Sequence, residues 1–305
     1  MKIRIATRKS ALALVQTEQV KALLLNQHEL KGLEIELVQA LTEGDQIQDR
    51  ALAEIGGKGL FIKKLEEMLL ADEADIAVHS LKDVPPFLDE VFCLAAVLPR
   101  HSPWDVLVSV HYPSVAALPP SAVVGTGSVR RQAALLRIRP DLQVKMVRGN
   151  VDTRLKKLDA GEFDALILAE AGLARLGLAS RIRERLSADW CLPSVGQGVI
   201  AIECLKSRHD LVQLLQGLNH AETEACILAE RAMNHALGAS CTSPVGSFAQ
   251  LESGVLTLRG AVWTVDGKQC ASTLQQSKPE EAIALGQLAA RDLLSKMKLE
   301  FSLPG

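Results

Sequence analysis

Four different polar chemistries follow directly on one short apolar run. After Ile76-Ala77-Val78 come His79, Ser80, Lys82 and Asp83, and then Pro85-Pro86. The two prolines keep a helix from starting on top of these groups, because proline restricts the residue before it and has no N–H to donate. Ligands of open α/β sheets bind beyond the carboxyl ends of strands. At such a place a carboxylate can stabilise a developing cation, while a lysine and a hydroxyl can hold an anion. The same residues also suit an ordinary strand exit in which Ser80 and Asp83 cap nearby backbone. The segment alone leaves both readings open.

A second group of candidates is basic. Gly125-Thr126-Gly127-Ser128-Val129-Arg130-Arg131 reads as a strand end followed by a helix capped by Ser128. Helix N-termini favour anions, so two first-turn arginines are unfavourable by about 0.3–1 kcal/mol each unless an anion reverses the sign. Arg8 and Ser10 stand at another strand exit, Arg148-Gly149-Asn150 with Arg154 at a third, and Arg175 on the helix after strand 164–169. Arginine forks suit carboxylates. Neither Gly125–Arg131 nor Gly56-Gly57-Lys58-Gly59 has the spacing of a nucleotide-phosphate loop.

The elements that must position these groups alternate. Strands are expected at Lys2 to Ala6, Leu33 to Ala40, 75–79, Ala122 to Gly125, Gln143 to Val147, Asp164 to Ala169 and Val199 to Glu203. Helices are expected from Ser10 to about Asn26, after Leu60, from Ser128 to Arg139, from Thr153 to Ala160, and from Ala221 to Leu237 with Gly238 as C-cap. A hairpin at 255–263 and 269–274 turns on Asp266-Gly267, and a last helix covers about 279–297. The two halves echo each other weakly, each with a later strand opened by an aspartate, Asp75 or Asp164. Two α/β lobes joined by two crossings predict a clam-shell with a cleft. The polar stretch Gln46 to Ile55 reads as a lid over it.

At 305 residues, the chain is long enough for two or three domains, and 48% hydrophobic with 23% charged residues is a globular composition. The apolar run Ala11 to Val15 is too short for a signal peptide, and nothing reaches the ~18 apolar residues of a membrane span. A cytoplasmic chain is expected. Net charge is −2, yet residues 130–157 hold nine basic side chains against Asp141 and Asp152, which is +7 locally and leaves −9 elsewhere. Only 3% of residues are aromatic, which disfavours base stacking and hence nucleic acid, and favours a compact polycarboxylate. Among six cysteines, those at 93, 191, 204, 226 and 270 read as reduced core thiols. Cys241 differs, lying among Gly238, Ala239, Ser240 and Thr242. No cysteine or histidine spacing suggests a metal.

Together, the segments ATRKSALALVQ, GGKGLFIKKLE, DIAVHSLKDVP, GTGSVRRQAALL, VRGNVDTRLKKL, LPSVGQGVIAIE and GASCTSPVG stand in an order similar to that of the porphobilinogen deaminase family. The resemblance spans essentially the whole chain. It implies an α/β fold of two periplasmic-binding-protein-like lobes, 1–98 with 200–217 and 99–199, plus a small α/β C-terminal domain, 218–305, with an antiparallel sheet. It implies a monomeric transferase that joins four porphobilinogen units into hydroxymethylbilane with loss of ammonia. Cys241 would carry a dipyrromethane cofactor through a thioether, and Asp83 would be the catalytic carboxylate. Arg8, Ser10, Lys58, Ser80, Lys82, Thr126, Ser128, Arg130, Arg131, Arg148, Gly149, Arg154 and Arg175 would bind cofactor and substrate side chains. Glu54 departs from the family where lysine is common, and Thr242-Ser243 replace a commoner Gln-Val. The alternatives are a solute-binding clam-shell, in which Asp83 and Cys241 have no role, and an RNA-binding protein using the basic segment.

Overall fold

A computed structural model of the chain describes residues 1–26, 32–40, 62–240 and 242–300. Lys58, Glu54, the glycine passage at 56–59, the stretch 46–55 and Cys241 lie outside the described residues. Two compact units are present, Met1–His101 with Val199–Glu224, and Ser102–Gly198 with Ala225–Gly305.

In the first unit, β1 (Lys2–Arg8) leads through α1 (Ala11–Leu25) to β2 (Glu34–Ala40), and α2 (Lys63–Leu70) precedes β3 (Ile76–Ser80) and β4 (Phe92–Val97). The second unit begins with β5 (Asp105–Val108), then β6 (Val123–Gly125), α3 (Val129–Ile138), β7 (Gln143–Lys145), α4 (Val151–Asp159), β8 (Ala165–Ala169), α5 (Glu170–Arg175) and β9 (Ile182–Arg185). The chain then returns as β10 (Ile200–Leu205), which inserts between β3 and β4, followed by α6 (His209–Gln216). Strand orders are β2-β1-β3-β10-β4 and β7-β6-β8-β5-β9. In each sheet three parallel strands are followed by one antiparallel strand and a reversed edge. Four strands are missing from the sequence expectation, β4, β5, β9 and the strand Val245–Glu252, and one helix, α6.

The weak echo between the halves has a physical basis. Asp75 and Asp164 each precede the third parallel strand and accept the backbone N–H of the neighbouring strand, Arg4 N at 2.8 Å and Val123 N at 2.7 Å. Each aspartate's own N–H returns to that residue's carbonyl at 2.8 Å. A short parallel strand is thereby pinned at its amino end in both sheets. β3 and β8 read as unbroken apolar runs because they are central strands buried on both faces.

The chain continues through α7 (Ala221–Ala236), which enters the second unit at Ala225, then β11 (Val245–Glu252), β12 (Val255–Trp263), β13 (Cys270–Ser277) and α8 (Ala282–Glu300). The three strands form an antiparallel sheet in the order β11-β12-β13. Phe248, Ala261 and Trp263 of that sheet share one core with Leu107, Val124 and Ala134. The Asp266-Gly267 hairpin occurs as expected, with Gly267 at φ +74° and so close to α3 that a Cβ would lie 2.5 Å from the Ala133 carbonyl. The two α/β sheets and the small C-terminal antiparallel sheet are those the sequence led one to expect.

Candidate active site

Adjacent parallel strands bring their carboxyl ends together, so β1 and β3 place Arg8, Ser10, Ser80, Lys82 and Asp83 around one pocket. Arg8 is the last residue of β1, and Ser10 caps α1, accepting from Ala13 N at 3.3 Å. Buried residues Ala13, Gln16, Thr17, Val20 and Leu24 follow the helical repeat on one face of α1. Gln16 is the polar member of that face, and its Nε2 and Oε1 lie 2.8 and 3.0 Å from Ser80 Oγ. Gln16 was absent from the sequence reading, although a glutamine on an apolar helix face was the signal that could have found it.

After Ser80 the chain makes a single 3-10 turn, Leu81–Asp83. Leu81 N–H donates to Val199 O and Val84 N–H to Leu81 O, both at 3.0 Å, which fixes the turn at its two ends. Asp83 keeps a side-chain exposure of 35%, and Arg8 Nη1 stands 3.9 Å from its Oδ2. The carboxylate is thus accessible and has a cation near it without a close fork. Behind the turn, His79 Nε2 lies 2.8 Å from Glu203 Oε2, and both side chains are buried.

In the second unit the parallel strands β7, β6 and β8 gather the other candidates at one sheet edge. Ser128 caps α3, accepting from Arg131 N at 3.4 Å, and Thr126 Oγ1 accepts from Ser128 N at 3.2 Å. Gly149 has φ +100°, and its carbonyl accepts from Arg154 Nε at 2.8 Å. Asn150 caps α4 through Thr153 N, so that helix starts two residues earlier than expected.

Arg130 and Arg131 require a correction to the sequence reading. Their first-turn charges are met by the chain itself, through Asp105 at the start of β5. Arg130 Nη2 lies 2.7 Å from Asp105 Oδ2, and Arg131 Nη2 lies 2.6 Å from Oδ1. Arg130 also donates to Leu192 O at 2.5 Å, and Arg131 to Ile167 O at 3.1 Å. Gln197 Nε2 adds 2.9 Å to Asp105 Oδ1. Burial disfavours the Asp105 charge, but the two guanidinium groups outweigh it and hold the carboxyl well below the usual range. Burial, helped by Asp105, pushes the adjacent Cys191 thiol up to about 12, so it remains neutral. Two arginines against one carboxylate leave this buried cluster with one uncompensated positive charge. Arg175 is desolvated separately: burial alone lowers its pKa to about 10, and its guanidinium donates to Gly198 O at 2.9 Å. A carboxylate ligand would relieve both conditions, so the residues present fit a group that bears carboxylates.

Of the remaining cysteines, Cys191, Cys204 and Cys226 are buried, and Cys93 and Cys270 are half-buried. Among the described residues no cluster of histidine, cysteine or acidic side chains could hold a metal, and no helix is long and apolar enough to cross a membrane.

Two family models match the chain: "Porphobilinogen deaminase, dipyromethane cofactor binding domain" over residues 3–213, and "Porphobilinogen deaminase, C-terminal domain" over residues 224–295. The chain is 49% identical over 292 residues to porphobilinogen deaminase of Laribacter hongkongensis, covering 96% of this chain and 94% of that protein. It is 50% identical over 293 residues to porphobilinogen deaminase of Chromobacterium violaceum, again covering 96% and 94%. A solved structure, a putative methionine-binding lipoprotein of Bacillus subtilis, is similar with a TM-score of 0.43 and 15% identity, covering 73% of this chain and 91% of that one.

Proposed function

The chain belongs to the porphobilinogen deaminase family, and from that premise we propose that Asp83 is its catalytic carboxylate and Cys241 its point of cofactor attachment. The reaction joins four porphobilinogen units into hydroxymethylbilane with loss of ammonia. When bound, the dipyrromethane supplies the terminal pyrrole carbon from which the chain grows. Departure of ammonia leaves a cationic substrate ring, and Asp83 stabilises that charge electrostatically from a fixed position, the kind of contribution that dominates many active sites. Its carboxylate also accepts hydrogen bonds from pyrrole N–H groups. Arg8, Ser10, Ser80 and Lys82 surround it and hold the acetate and propionate arms of the ring, so that the carboxylate faces the cation and the cations face the carboxylates.

The observation that carries this assignment is the exposure of Asp83 at the end of a buried strand, with Arg8 3.9 Å away. A site meant only to bind polycarboxylates would gain nothing from a further negative charge there. The one-charge surplus around Asp105 and the desolvated Arg175 support a second set of carboxylate contacts at the β6–β8 edge, to which Thr126, Ser128, Arg148, Gly149 and Arg154 contribute. Lys58 completes the proposed set. Three sheets underlie the proposed partition into domains 1–98 with 200–217, 99–199 and 218–305. A cytoplasmic location and a monomeric state belong to the same proposal, the latter tested by sedimentation.

Intact mass of the purified protein beside Cys241→Ser tests the attachment. We expect an excess of two linked pyrrole units in the parent that the variant lacks. Agreement of both with their sequence masses would remove Cys241 from this role.

A further inference from the structure

Behind the turn that carries Asp83 lies a buried hydrogen-bonded pair, His79 and Glu203. His79 and Glu203 occupy the face of the first sheet that packs on α2: Ala77, on the same side of β3 as His79, belongs to the core formed with Leu65, Met68 and Leu69. The backbone register pairs Ser80 with Ile200, His79 with Ala201 and Ala77 with Glu203. The imidazole therefore reaches diagonally across two antiparallel strands to Glu203 Oε2 at 2.8 Å, with side-chain exposures of 3% and 0%. Glu203 Oε1 is buried and has no hydrogen-bond partner among the described residues. Glu66 of α2 faces the same pair. Burial, and next the charge of Glu203, push its carboxyl up.

A buried polar pair is a poor way to stabilise a sheet, because desolvation offsets most of the gain and an apolar pair serves as well. Its better-attested use is to fix register. Register matters at this place, since a slip of one residue would turn every side chain of a strand to the other face. β10 also has a register irregularity between Ile202 and Glu203 on its other side, against β4. The last contact between the two strands is Leu81 N–H to Val199 O at 3.0 Å, the bond from which the Asp83 turn departs.

We propose that His79 and Glu203 are positioning residues, a buried cross-strand clamp that holds β3 in register on β10 and so aims the turn bearing Lys82 and Asp83. The clamp acts through the turn and transfers no proton to substrate. It rests on the assignment of Asp83 given above for its effect on turnover, though its effect on the strand pair is independent of that assignment.

The test compares three proteins: the parent, Glu203→Gln, and the double variant His79→Leu/Glu203→Met. Removing both polar partners leaves neither group buried without a partner, so the double variant is expected to fold with a melting temperature near or above that of the parent. Its kcat is expected to fall by about 10- to 100-fold, with a smaller change in KM, as a misplacement of about 1 Å would produce. Glu203→Gln retains a hydrogen-bond partner for the imidazole and should recover part of that loss. Amide exchange reads the clamp without reference to turnover. The Leu81 amide should exchange about tenfold faster in the double variant, while amides in the middle of β1 keep their protection. A double variant with parental kcat, or with parental protection at Leu81, would overturn the proposal.

Discussion

The carboxyl edges of the two α/β sheets are built alike and equipped differently. Both sheets have the same strand order, and both pin the third parallel strand with an aspartate at its amino end, Asp75 or Asp164. At the opposite end the likeness stops. The first edge presents a carboxylate, Asp83, that is 35% exposed, with Arg8 Nη1 3.9 Å away. The second has its carboxylate sealed beneath it, as Asp105 at 0% side-chain exposure between two arginines at 2.6 and 2.7 Å. The amino ends of the strands hold the scaffold, and the carboxyl ends hold the residues proposed above for the chemistry. A carboxylate surrounded closely by guanidinium groups organises cations. One left partly open retains its field for a positive ligand.

Removing each carboxylate in turn should break the comparison in opposite ways. The larger effect belongs to Asp105→Ala. It strands two buried guanidinium groups, and loss of one partner from a buried pair costs about 3–5 kcal/mol. Chemical denaturation of the variant should show that loss in the second unit. The pH dependence has a definite sign. The folded-state pKa of Asp105 is depressed, so its contribution is fully present above the ordinary carboxylate value near about 3.9 and is lost only as pH falls through the depressed one. The stability difference between parent and variant should therefore stay constant from neutral pH down to about pH 4. A difference that disappears already near pH 6 would mean that the ion pairs do not hold the carboxyl down.

Asp83→Asn is expected to lose about 10²–10³ in kcat, the scale of removing one preorganised electrostatic partner of a transition state. Stability should change little, because the turn is fixed by Leu81 and Val84 backbone bonds and not by this carboxylate. Rates of hydroxymethylbilane formation and thermal melts on the same samples check both halves. If Asp83→Asn unfolds the first unit while Asp105→Ala leaves the second intact, the roles of the two edges are reversed.

The sequence revealed the first edge more fully than the second, for a local reason. Ser80, Lys82 and Asp83 are consecutive with their strand, and Ser10, Ser128 and Asn150 announce helix starts through their own caps. Asp105 acts on residues 25 and 26 positions away, across a strand of four residues whose brevity hid it from periodicity. The first-turn arginines therefore looked uncompensated. One signal was available: Asp105 opens an apolar run, as Asp75 and Asp164 precede theirs. β4, Phe92–Val97, was missed because an unbroken apolar run has no alternation to read, and β9 because Ile182–Arg185 is short and charged. His79 stands among the polar groups at its strand exit, and nothing local in the sequence marks its partner Glu203, 124 residues away.

The pinning aspartates offer a smaller test of the likeness between the sheets. Asp164→Ala removes a 2.7 Å bond from Val123 N–H and leaves that donor at the start of β6. A charge-assisted bond of this kind contributes about 1.5–3 kcal/mol. Urea titration should show a loss in that range with turnover per folded molecule unchanged, because the pin lies at the opposite end of the strand from the carboxylate contacts. A fall in turnover without a fall in stability would show that the amino end is not merely scaffold.

The smallest effect is expected at the helix caps, where the two edges should again behave alike. Ser10 and Ser128 accept from Ala13 N and Arg131 N at 3.3 and 3.4 Å. Either serine changed to alanine should cost about 1 kcal/mol of stability. Each hydroxyl satisfies one N–H, while the other first-turn donors remain directed at the edge where carboxylates are proposed to bind. Loss of the cap frays that turn and misdirects them, so KM for porphobilinogen should rise by a few fold in Ser10→Ala. Ser128→Ala should slow elongation to a similar degree. At α3, however, Arg130 and Arg131 are anchored on Asp105 independently of the cap, which limits how far the turn can open. The kinetic penalty should accordingly be milder at Ser128 than at Ser10 for the same loss of stability. Equal penalties would mean that Asp105 does not hold the second edge in place, and that its burial serves the core alone.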